Sequence, residues 1–576
     1  MRQSDIRFMP DTTSSLKPVQ RLFNLLHAER RDITYLYIYA ALAGLISLTL
    51  PLGVQSVIGF VSSGDVSTSL VVLISFIVLG TFGVGALQVM QLHLVEFVQR
   101  RLFARISFDF AVRLPRVRTE ELDGQYLPEL MNRLLDAPTL QKGLSTLLIE
   151  FSAAALQILF GLILLSFYHP IFIVFGLLLL GMLAVLIRLT GPGGLDSSLA
   201  ESKYKYKVVA WLEDVARTVN TFRHVPRQQL SLGRTDELVE GYLKARESHF
   251  RVLITQFWGF VAFKSLITAA LLIIGCWLLI SKQLNIGQFV AAEIVIILII
   301  TAMEKVLLKI DVVYDALTSL DKIGHVLDLP MLPAATGTLV LPAVSPVVGL
   351  QVEVRDLSYR YPANEKFTLE NLSLSVAAGE NLGLAGTDGS GKSTLLSVLA
   401  GLLADYTGVV AYDGLPMRDL TPDSLSNELA DNISHRGLFE GSLLQNLTLN
   451  QPGVGPDDVA WAVDLVGLRD ELYARPQGLN TPVGVGTPFS DSARQKLLLA
   501  RALASRPRLL LLDNPLLNVE RAERHRILSR LLEPGHPWTI VIASHEPDTL
   551  RLCHRLLLLQ EGHVVKEGDY ETVMGN

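Results

Sequence analysis

Charged residues are scarce in this sequence. Lys, Arg, Asp and Glu make up 18% of its 576 residues, whereas about 25% is usual in soluble domains. Hydrophobic residues make up 50%, and the mean hydropathy is +0.38. This deficit of charge argues against an entirely soluble protein and indicates a membrane protein. The net charge of −6 is small for the length, so we expect no nucleic-acid partner.

Cysteine is also scarce, since Cys276 and Cys553 are the two cysteines of the chain. Their separation excludes a disulfide framework and any cysteine spacing typical of a zinc site. The first 16 residues contain two aspartates and lack an apolar core, so we expect no cleavable signal peptide.

Long apolar runs fill the first part of the chain. A helix needs about 20 apolar residues to cross a bilayer, and six runs are long enough: 34–60, 68–97, 146–167, 170–190, 256–281 and 286–307. Residues 168–170 join the third run to the fourth, and residues 281–285 join the fifth run to the sixth, so each pair predicts a hairpin. The predicted fold class is an all-α transmembrane domain of six helices followed by an α/β domain.

Loop charge predicts the orientation of the six spans. The loop after span one and the connection between spans three and four lack Lys and Arg, whereas the segments after spans two and four are long and basic. Positive loops stay in the cytoplasm, so we expect a multi-pass protein of the cytoplasmic (inner) membrane with both termini inside. We also expect spans two to five to continue as helices past the membrane.

The remaining segments complete the predicted domain plan. Residues 1–33 form a cytoplasmic N-terminal segment, in which 17–30 fit either a helix on the inner membrane surface or a solvated lead-in helix. The transmembrane domain covers 34–330. A linker rich in Pro covers 331–348, and the soluble α/β domain covers 349–576.

A phosphate-binding loop stands near the start of the soluble domain. The strand-like run 381–385 leads into G-x-x-x-x-G-K-S, and a helical run follows. Glycines let backbone N–H groups approach phosphate oxygens, and the helix N-terminus adds a positive dipole end. The predicted ATP-binding residues are Gly386, Thr387, Asp388, Gly389, Ser390, Gly391, Lys392, Ser393 and Thr394.

Two of these loop residues and one distant aspartate have predicted individual roles. Lys392 is expected to reach the β- and γ-phosphates, and Ser393 to ligate Mg²⁺. The apolar run 509–512 ends in Asp513, which we expect to hold Mg²⁺ through water.

With six spans followed by this nucleotide-binding domain, the chain resembles an ATP-binding-cassette exporter half-transporter. The runs SLTLPLGVQSVIGFV and LNIGQFVAAE resemble the type I secretion and peptide-export subgroup. Only about 33 residues precede the first span, so we expect no N-terminal peptidase domain here. The resemblance implies ATP and Mg²⁺ as cofactors. It also implies as partners a second half-transporter, membrane lipid and a periplasmic adaptor protein.

The resemblance also assigns residues outside the phosphate loop. Tyr361 matches the aromatic residue that stacks on adenine, with Tyr359 as its rival. His545 matches the switch histidine that contacts the γ-phosphate. His435 is the best match to the loop glutamine that senses Mg²⁺, although the loop is one residue short.

Several positions depart from the family pattern. Asn514 stands where the water-activating Glu is expected, and an amide cannot take a proton. The signature stretch reads Phe489-Ser490-Asp491-Ser492-Ala493, in which Ser490, Asp491 and Ser492 are expected to face the partner's ATP. Ser490 is expected to cap the helix that follows. Asp491 replaces a glycine and is expected to repel a γ-phosphate unless it turns away or a cation bridges it. Glu520 replaces a loop aspartate.

These departures leave two functions open. The first is an exporter subunit that couples ATP binding, with slow or partner-assisted hydrolysis, to export of a substrate. The second is a regulatory or structural subunit that binds ATP without significant hydrolysis. Glu293, about seven residues into span six, fits either a cargo-contacting residue or a helix-packing carboxylate.

Overall fold

The computed structural model describes residues 17–62, 68–118, 127–223, 229–332, 337–342, 348–362, 364–434, 437–484, 489–533 and 535–575. The chain divides into two compact units. One consists of residues up to 115 together with 125–329, and the other of 116–124 together with 330–576. We call them the membrane unit and the nucleotide unit.

The described part of the membrane unit is built from α-helices, joined by short 3₁₀ and π-helical turns. Its helices are α1 (Pro18–Ala28), α2 (Arg30–Ser47), α3 (Thr49–Ser62), α4 (Thr68–Arg113), α5 (Leu127–Asn132), α6 (Ala137–Ser145), α7 (Ser152–Tyr168), α8 (Ile171–Arg217), α9 (Val219–Arg223), α10 (Gln229–Ile280), α11 (Ile286–Leu308) and α12 (Ile310–Leu327).

The six predicted spans are confirmed, because the described residues contain six helical segments long and apolar enough to cross a membrane. Helices α4, α8 and α10 have 46, 47 and 52 residues, which at 1.5 Å per residue is roughly 70–80 Å. They are therefore far longer than a bilayer core, as predicted. Large apolar side chains such as Phe76, Phe82 and Leu177 are exposed on this unit, as is typical of surfaces that face lipid.

Both predicted hairpins are present in the membrane unit. Helix α7 ends at Tyr168 and α8 begins at Ile171, while the second hairpin connects Ile280 to Ile286. Asn285 caps α11 by accepting a hydrogen bond from the backbone N–H of Gln288 at 2.7 Å, which fixes where the sixth span begins. Apolar residues of α7, α10 and α11 form a buried core between these spans.

The nucleotide unit contains two main sheets. A six-stranded sheet has the order β12-β11-β3-β10-β9-β6, in which β12 is antiparallel and the other strands run parallel, and a four-stranded sheet has the order β2-β1-β4-β5. The strands are β1 (Val352–Tyr359), β2 (Leu369–Val376), β3 (Asn381–Ala385), β4 (Thr407–Tyr412), β5 (Leu415–Pro416), β6 (Leu429–Asp431), β7 (Gly441–Ser442), β8 (Pro482–Val483), β9 (Leu509–Asp513), β10 (Thr539–Ala543), β11 (Arg555–Gln560) and β12 (His563–Gly568).

Helices cover this sheet on both faces. Leu510 and Leu512 of β9 belong to a core made with the helices of one side, whereas Leu509 and Leu511 belong to the core made with the four-stranded sheet. Burial on both faces explains the uninterrupted leucine run. The helices are α13 (Lys392–Leu399), α14 (Pro422–Glu428), α15 (Leu443–Thr448), α16 (Pro456–Leu465), α17 (Arg469–Tyr473), α18 (Asp491–Ala504), α19 (Arg521–Leu531), α20 (Pro547–Leu550) and α21 (Tyr570–Met574).

Part of the predicted linker is fixed on the nucleotide unit. Leu339 forms a bridge with Leu420, and the backbone N–H of Leu341 donates to Ser424 Oγ at 2.8 Å. The side chain of Leu341 is buried. The described residues 337–342 are therefore an edge segment of the unit. Composition did not reveal this, because a stretch rich in Pro can form an edge as readily as a free connection.

Candidate functional site

Four strands of the six-stranded sheet place the predicted site residues at one edge. Strands β3, β10, β9 and β6 are parallel neighbours, so their carboxyl ends meet on the same side. The phosphate loop follows β3, His545 follows β10, and β9 ends in Asp513. Ligands of open α/β sheets bind at this edge. The topology thus brings together residues that are far apart in the sequence.

The phosphate loop has a backbone that only glycine fits at two positions. Gly386 has φ 144°, and an added Cβ would lie 2.3 Å from the carbonyl oxygen of Leu559. Gly391 has φ 103°, and an added Cβ would lie 3.0 Å from the carbonyl oxygen of Thr368. The loop is therefore pressed against β11 and the start of β2. The first turn of α13, which begins at Lys392, points its free N–H groups towards the loop.

Lys392 is the buried cation of this loop, with 5% of its surface exposed. Its Nζ donates to the carbonyl oxygens of Gly386 and Thr387, both at 2.8 Å, and to Ser390 Oγ at 3.3 Å. Burial lowers the pKa of Lys392, while the charges of Asp388 and Asp513 act in the opposite direction. A buried charge must be paired and hydrogen-bonded, and these three acceptors hold the ammonium inside the predicted phosphate loop. Ser393 is exposed in the first turn of α13.

Asp513 is held by two asparagines. The Asn432 side chain accepts from the Asp513 backbone N–H at 2.7 Å and donates to the Asp513 carbonyl oxygen at 3.0 Å. The Asn514 amide donates to Asp513 Oδ1 at 3.0 Å. These contacts orient the carboxylate that was predicted to hold Mg²⁺. Asn432 was not predicted as a site residue because no motif marks it. It reaches Asp513 because it follows β6, which pairs with β9.

Asn514 has φ 41°, and asparagine tolerates this left-handed conformation better than most residues. Its backbone N–H donates to the carbonyl oxygen of Ala543 at 2.9 Å. Asn514 is thus fixed between the ends of β9 and β10, where its amide donates a hydrogen bond but cannot accept a proton.

His545 and Asp388 approach each other across the site. His545 Nε2 lies 3.1 Å from Asp388 Oδ1, and the side chains are 42% and 98% exposed. The contact connects the residue after β10 to the third residue of the phosphate loop. Both residues were predicted to belong to the site, but no sequence pattern indicated that they would pair.

The two candidate adenine-stacking tyrosines differ in burial. Tyr359 is 1% exposed and packs edge-on against Tyr361, with ring centroids 5.0 Å apart. Tyr361 is partly exposed, and its hydroxyl lies 3.4 Å from Thr394 Oγ1 in α13. A ring buried in the core cannot stack on a ligand, so the burial favours Tyr361.

The signature residues begin α18. Ser490 Oγ accepts from the backbone N–H of Ala493 at 3.1 Å, which confirms the predicted cap. Asp491 Oδ1 lies 3.2 Å from Arg494 Nη1 on the exposed first turn, so this carboxylate pairs with a cation of its own helix. Within the described residues, no hydrogen bond or ion pair joins Ser490, Asp491 or Ser492 to the phosphate loop.

The loop after β6 is described only in part. Asp431 accepts from the backbone N–H groups of Ile433 and Ser434 at 2.8 and 2.6 Å and from Ser434 Oγ at 2.9 Å. These bonds shape the beginning of the loop. His435, predicted as the Mg²⁺-sensing residue, lies outside the described residues.

Arg501, which was not among the predicted site residues, fixes the far side of that loop. It is buried in α18, and its guanidinium donates to the carbonyl oxygens of Asn446 and Gly437 at 2.6 and 3.0 Å. It also donates to Asn446 Oδ1 at 3.1 Å. The helix that carries the signature thereby fixes the segment following the undescribed loop residues.

Comparison with known families and proteins agrees with this geometry. The family model "ABC transporter transmembrane region" matches residues 33–303, and the model "ABC transporter" matches residues 369–517. A bacterial Atm1-family ABC exporter, solved with ATP bound, superposes with a TM-score of 0.82 over 94% of this chain and 95% of that chain, at 18% identity. The shared fold is therefore that of an ABC exporter.

Curated relatives carry both translocation and import names. The alpha-hemolysin translocation ATP-binding protein HlyB of Escherichia coli O157:H7 is 25% identical over 63% of this chain and 51% of its own length. The mycobactin import ATP-binding/permease protein IrtB of Mycolicibacterium thermoresistibile is 28% identical over 52% of this chain and 51% of its own length. This chain thus spans about half the length of the curated relatives it matches.

Proposed function

This chain belongs to the ABC transporter family, and from that premise we propose that it is a half-transporter coupling ATP to export of a substrate. The observation that carries the proposal is the convergence of the phosphate loop, Asp513 and His545 at one sheet edge in a chain that also has six membrane-spanning helices. Membrane helices alone would fit many functions. Their fusion to a domain with this nucleotide-binding edge fits transport driven by a nucleotide.

In the proposed complex with Mg-ATP, each residue has a specific task. Lys392 neutralises the β- and γ-phosphates, Tyr361 stacks on adenine, and His545 contacts the γ-phosphate. Ser393 and Asp513 hold Mg²⁺, which when bound neutralises phosphate charge. The glycine-lined loop and the buried Lys392 support a phosphate ligand, and the two asparagines beside Asp513 support a fixed position for its carboxylate.

We propose that hydrolysis by this chain is slow. Asn514 can orient the attacking water through its amide, but it cannot accept the proton that the usual Glu takes. Losing a general base typically slows a reaction about 10²- to 10⁴-fold. The ion pair between Asp491 and Arg494 reduces the repulsion expected of Asp491, so Asn514 is proposed as the larger of the two defects.

The complete site is proposed to form between two half-transporters. Among the described residues, the signature residues of this chain make no hydrogen bond or ion pair with its own phosphate loop, which suits a head-to-tail pair in which Ser490 faces the partner's ATP. In a homodimer, both sites would contain Asn514 and Asp491. With a partner of consensus sequence, each site would contain one of these departures.

The cellular setting is also a proposal. The alternating loop charge supports a protein of the inner membrane with the nucleotide-binding domain, residues 349–576, in the cytoplasm and the transmembrane domain at 34–330. The translocation relatives support export within a secretion system, for which a periplasmic adaptor protein would be the further partner, with membrane lipid around the spans. Because the relatives' names favour transport, we place the purely regulatory role second.

The decisive experiment measures phosphate release by the full-length chain in lipid nanodiscs, alone and with any cassette protein that co-purifies. We expect measurable ATP binding and slow hydrolysis, with both lost in Lys392→Ala. Turnover at tens per second by the chain alone, with Asn514→Ala unaffected, would contradict the proposed slow motor. Absence of ATP binding in the wild-type chain would contradict the function itself.

A further inference from the structure

An acidic side chain lies against His545, the histidine that is expected to contact the γ-phosphate. Asp388 is the third residue of the phosphate loop, and its carboxylate oxygen lies 3.1 Å from Nε2 of His545. The carboxylate oxygen therefore stands directly against this ring nitrogen. A phosphate oxygen cannot contact the same nitrogen while Asp388 is there.

The negative charge of Asp388 opposes a γ-phosphate in the same way as its position beside His545. Its carboxylate belongs to the loop that cradles the phosphates, and its field reaches Lys392 Nζ, the cation of that loop. A carboxylate and a γ-phosphate are both negative, so they repel each other where they share a histidine and a lysine. Asp513 is the second carboxylate acting on Lys392, but it faces the proposed metal.

We propose that Asp388 competes with the γ-phosphate for His545, so that this chain discriminates less strongly between ATP and ADP than a loop with a neutral residue at this position would. The inference rests on the proposed function, because it needs a nucleotide in the loop. ADP lacks the γ-phosphate and can bind with the Asp388–His545 pair intact. ATP must break the pair before His545 can contact its terminal phosphate.

The pair is weak enough to be displaced. Both side chains are substantially exposed, and ion pairs of this kind contribute little. Breaking the pair should therefore reduce ATP affinity by up to about fivefold, which cellular ATP can overcome. Asp388 thus sets how strongly the empty site favours the triphosphate, without preventing its binding.

The test is equilibrium binding of the non-hydrolysable analogue AMP-PNP and of ADP, each with Mg²⁺, to the full-length chain in nanodiscs by calorimetry. We expect Asp388→Ser to tighten AMP-PNP binding about fivefold and to change ADP binding less than twofold. Asp388→Asn, which keeps the side-chain shape, should move AMP-PNP binding in the same direction. In a His545→Ala background, Asp388→Ser should change AMP-PNP binding less than twofold.

A matched control is available in the same unit. Glu370 pairs with His563 at 3.6 Å, and both side chains are about half exposed; Glu370→Gln removes a similar pair outside the site and should leave both affinities unchanged. An unaltered ratio of AMP-PNP to ADP affinity in Asp388→Ser, or the full effect persisting without His545, would overturn the inference. Loss of all binding in the wild-type chain would instead overturn the proposed function on which it rests.

Discussion

Asn514 occupies the position of the residue that is expected to activate water for ATP hydrolysis. Its amide donates to Asp513 Oδ1, and its backbone is fixed to β10 through Ala543. The residue is therefore placed to support the carboxylate proposed to hold Mg²⁺. It has no group able to take a proton from water at neutral pH.

We predict that Asn514→Glu raises ATP hydrolysis at least about tenfold, because it restores a proton acceptor whose loss typically costs 10²- to 10⁴-fold. The measurement is phosphate release at saturating ATP by the full-length chain. Asn514→Gln provides the control, since it lengthens the side chain equally without supplying a base. If the Glu and Gln variants have the same rate, the missing base does not limit turnover.

Cys553 gives a prediction about pH. Burial raises the pKa of the Cys553 thiol from 9.0 to about 12. The thiolate therefore forms first in the unfolded chain, so this group's contribution to folded stability is full below pH 9.0 and is lost as the pH rises towards 12. At pH 8 we expect iodoacetamide to modify Cys553 far more slowly in the folded chain than in guanidinium, as measured by mass spectrometry. Equal rates in the two states would contradict the burial.

At the scale of single residues, spacing alone predicted the phosphate loop because its mechanism needs glycines, a lysine and a hydroxyl at fixed intervals. The side-chain contacts between residues that follow different strands of the sheet could not be predicted. The clamp of Asn432 on Asp513 depends on β6 lying beside β9, and the contact between Asp388 and His545 depends on β3 lying beside β10. No local pattern encodes such neighbours.

Among the elements, α18 shows how the altered signature still begins a helix. Ser490 caps it, and Asp491 in the first turn suits the positive end of the helix dipole while pairing with Arg494. The change from the family's glycine therefore stabilises this helix start, even though it brings a negative charge to the surface expected to face ATP.

We predict that Ser490→Ala weakens the start of α18 by about 1 kcal/mol, because the N–H of Ala493 loses its acceptor. Hydrogen-exchange mass spectrometry should detect faster exchange in the first turn of α18. Ser492→Ala removes a neighbouring hydroxyl that does not cap the helix, so it serves as the control. Equal exchange in both variants would show that the cap does not limit opening.

The long helices were the most predictable elements, because a span needs an apolar run that few other structures tolerate. Helix α10 illustrates the limit of this reasoning. Its span was predicted at 256–281 with a helical continuation past the membrane, and the helix indeed begins earlier, at Gln229. No sequence marker predicted that starting residue. The attachment of segment 337–342 to the nucleotide unit was also not predicted, because it depends on contacts with Leu420 and Ser424.

For the whole molecule, the orientation inferred from loop charge gives a labelling prediction. In a chain lacking native cysteines through Cys276→Ser and Cys553→Ser, Gln283→Cys lies in the hairpin between spans five and six, and Lys244→Cys lies in the first half of α10. A membrane-impermeant maleimide should label position 283 in intact spheroplasts, but position 244 only after permeabilisation. The reverse pattern would invert the proposed topology.

The nucleotide unit is assembled from two separate stretches of chain. Residues 116–118 belong to it, although the chain returns afterwards to the membrane unit. Val117 forms a bridge with Met331, and Arg118 pairs with Asp405 at 2.9 Å. Recombination that exchanged only the C-terminal gene segment would separate these partners. Chimaeras joined near residue 330 should therefore need a matching replacement around residue 117, and natural variation at these two places is expected to be inherited together.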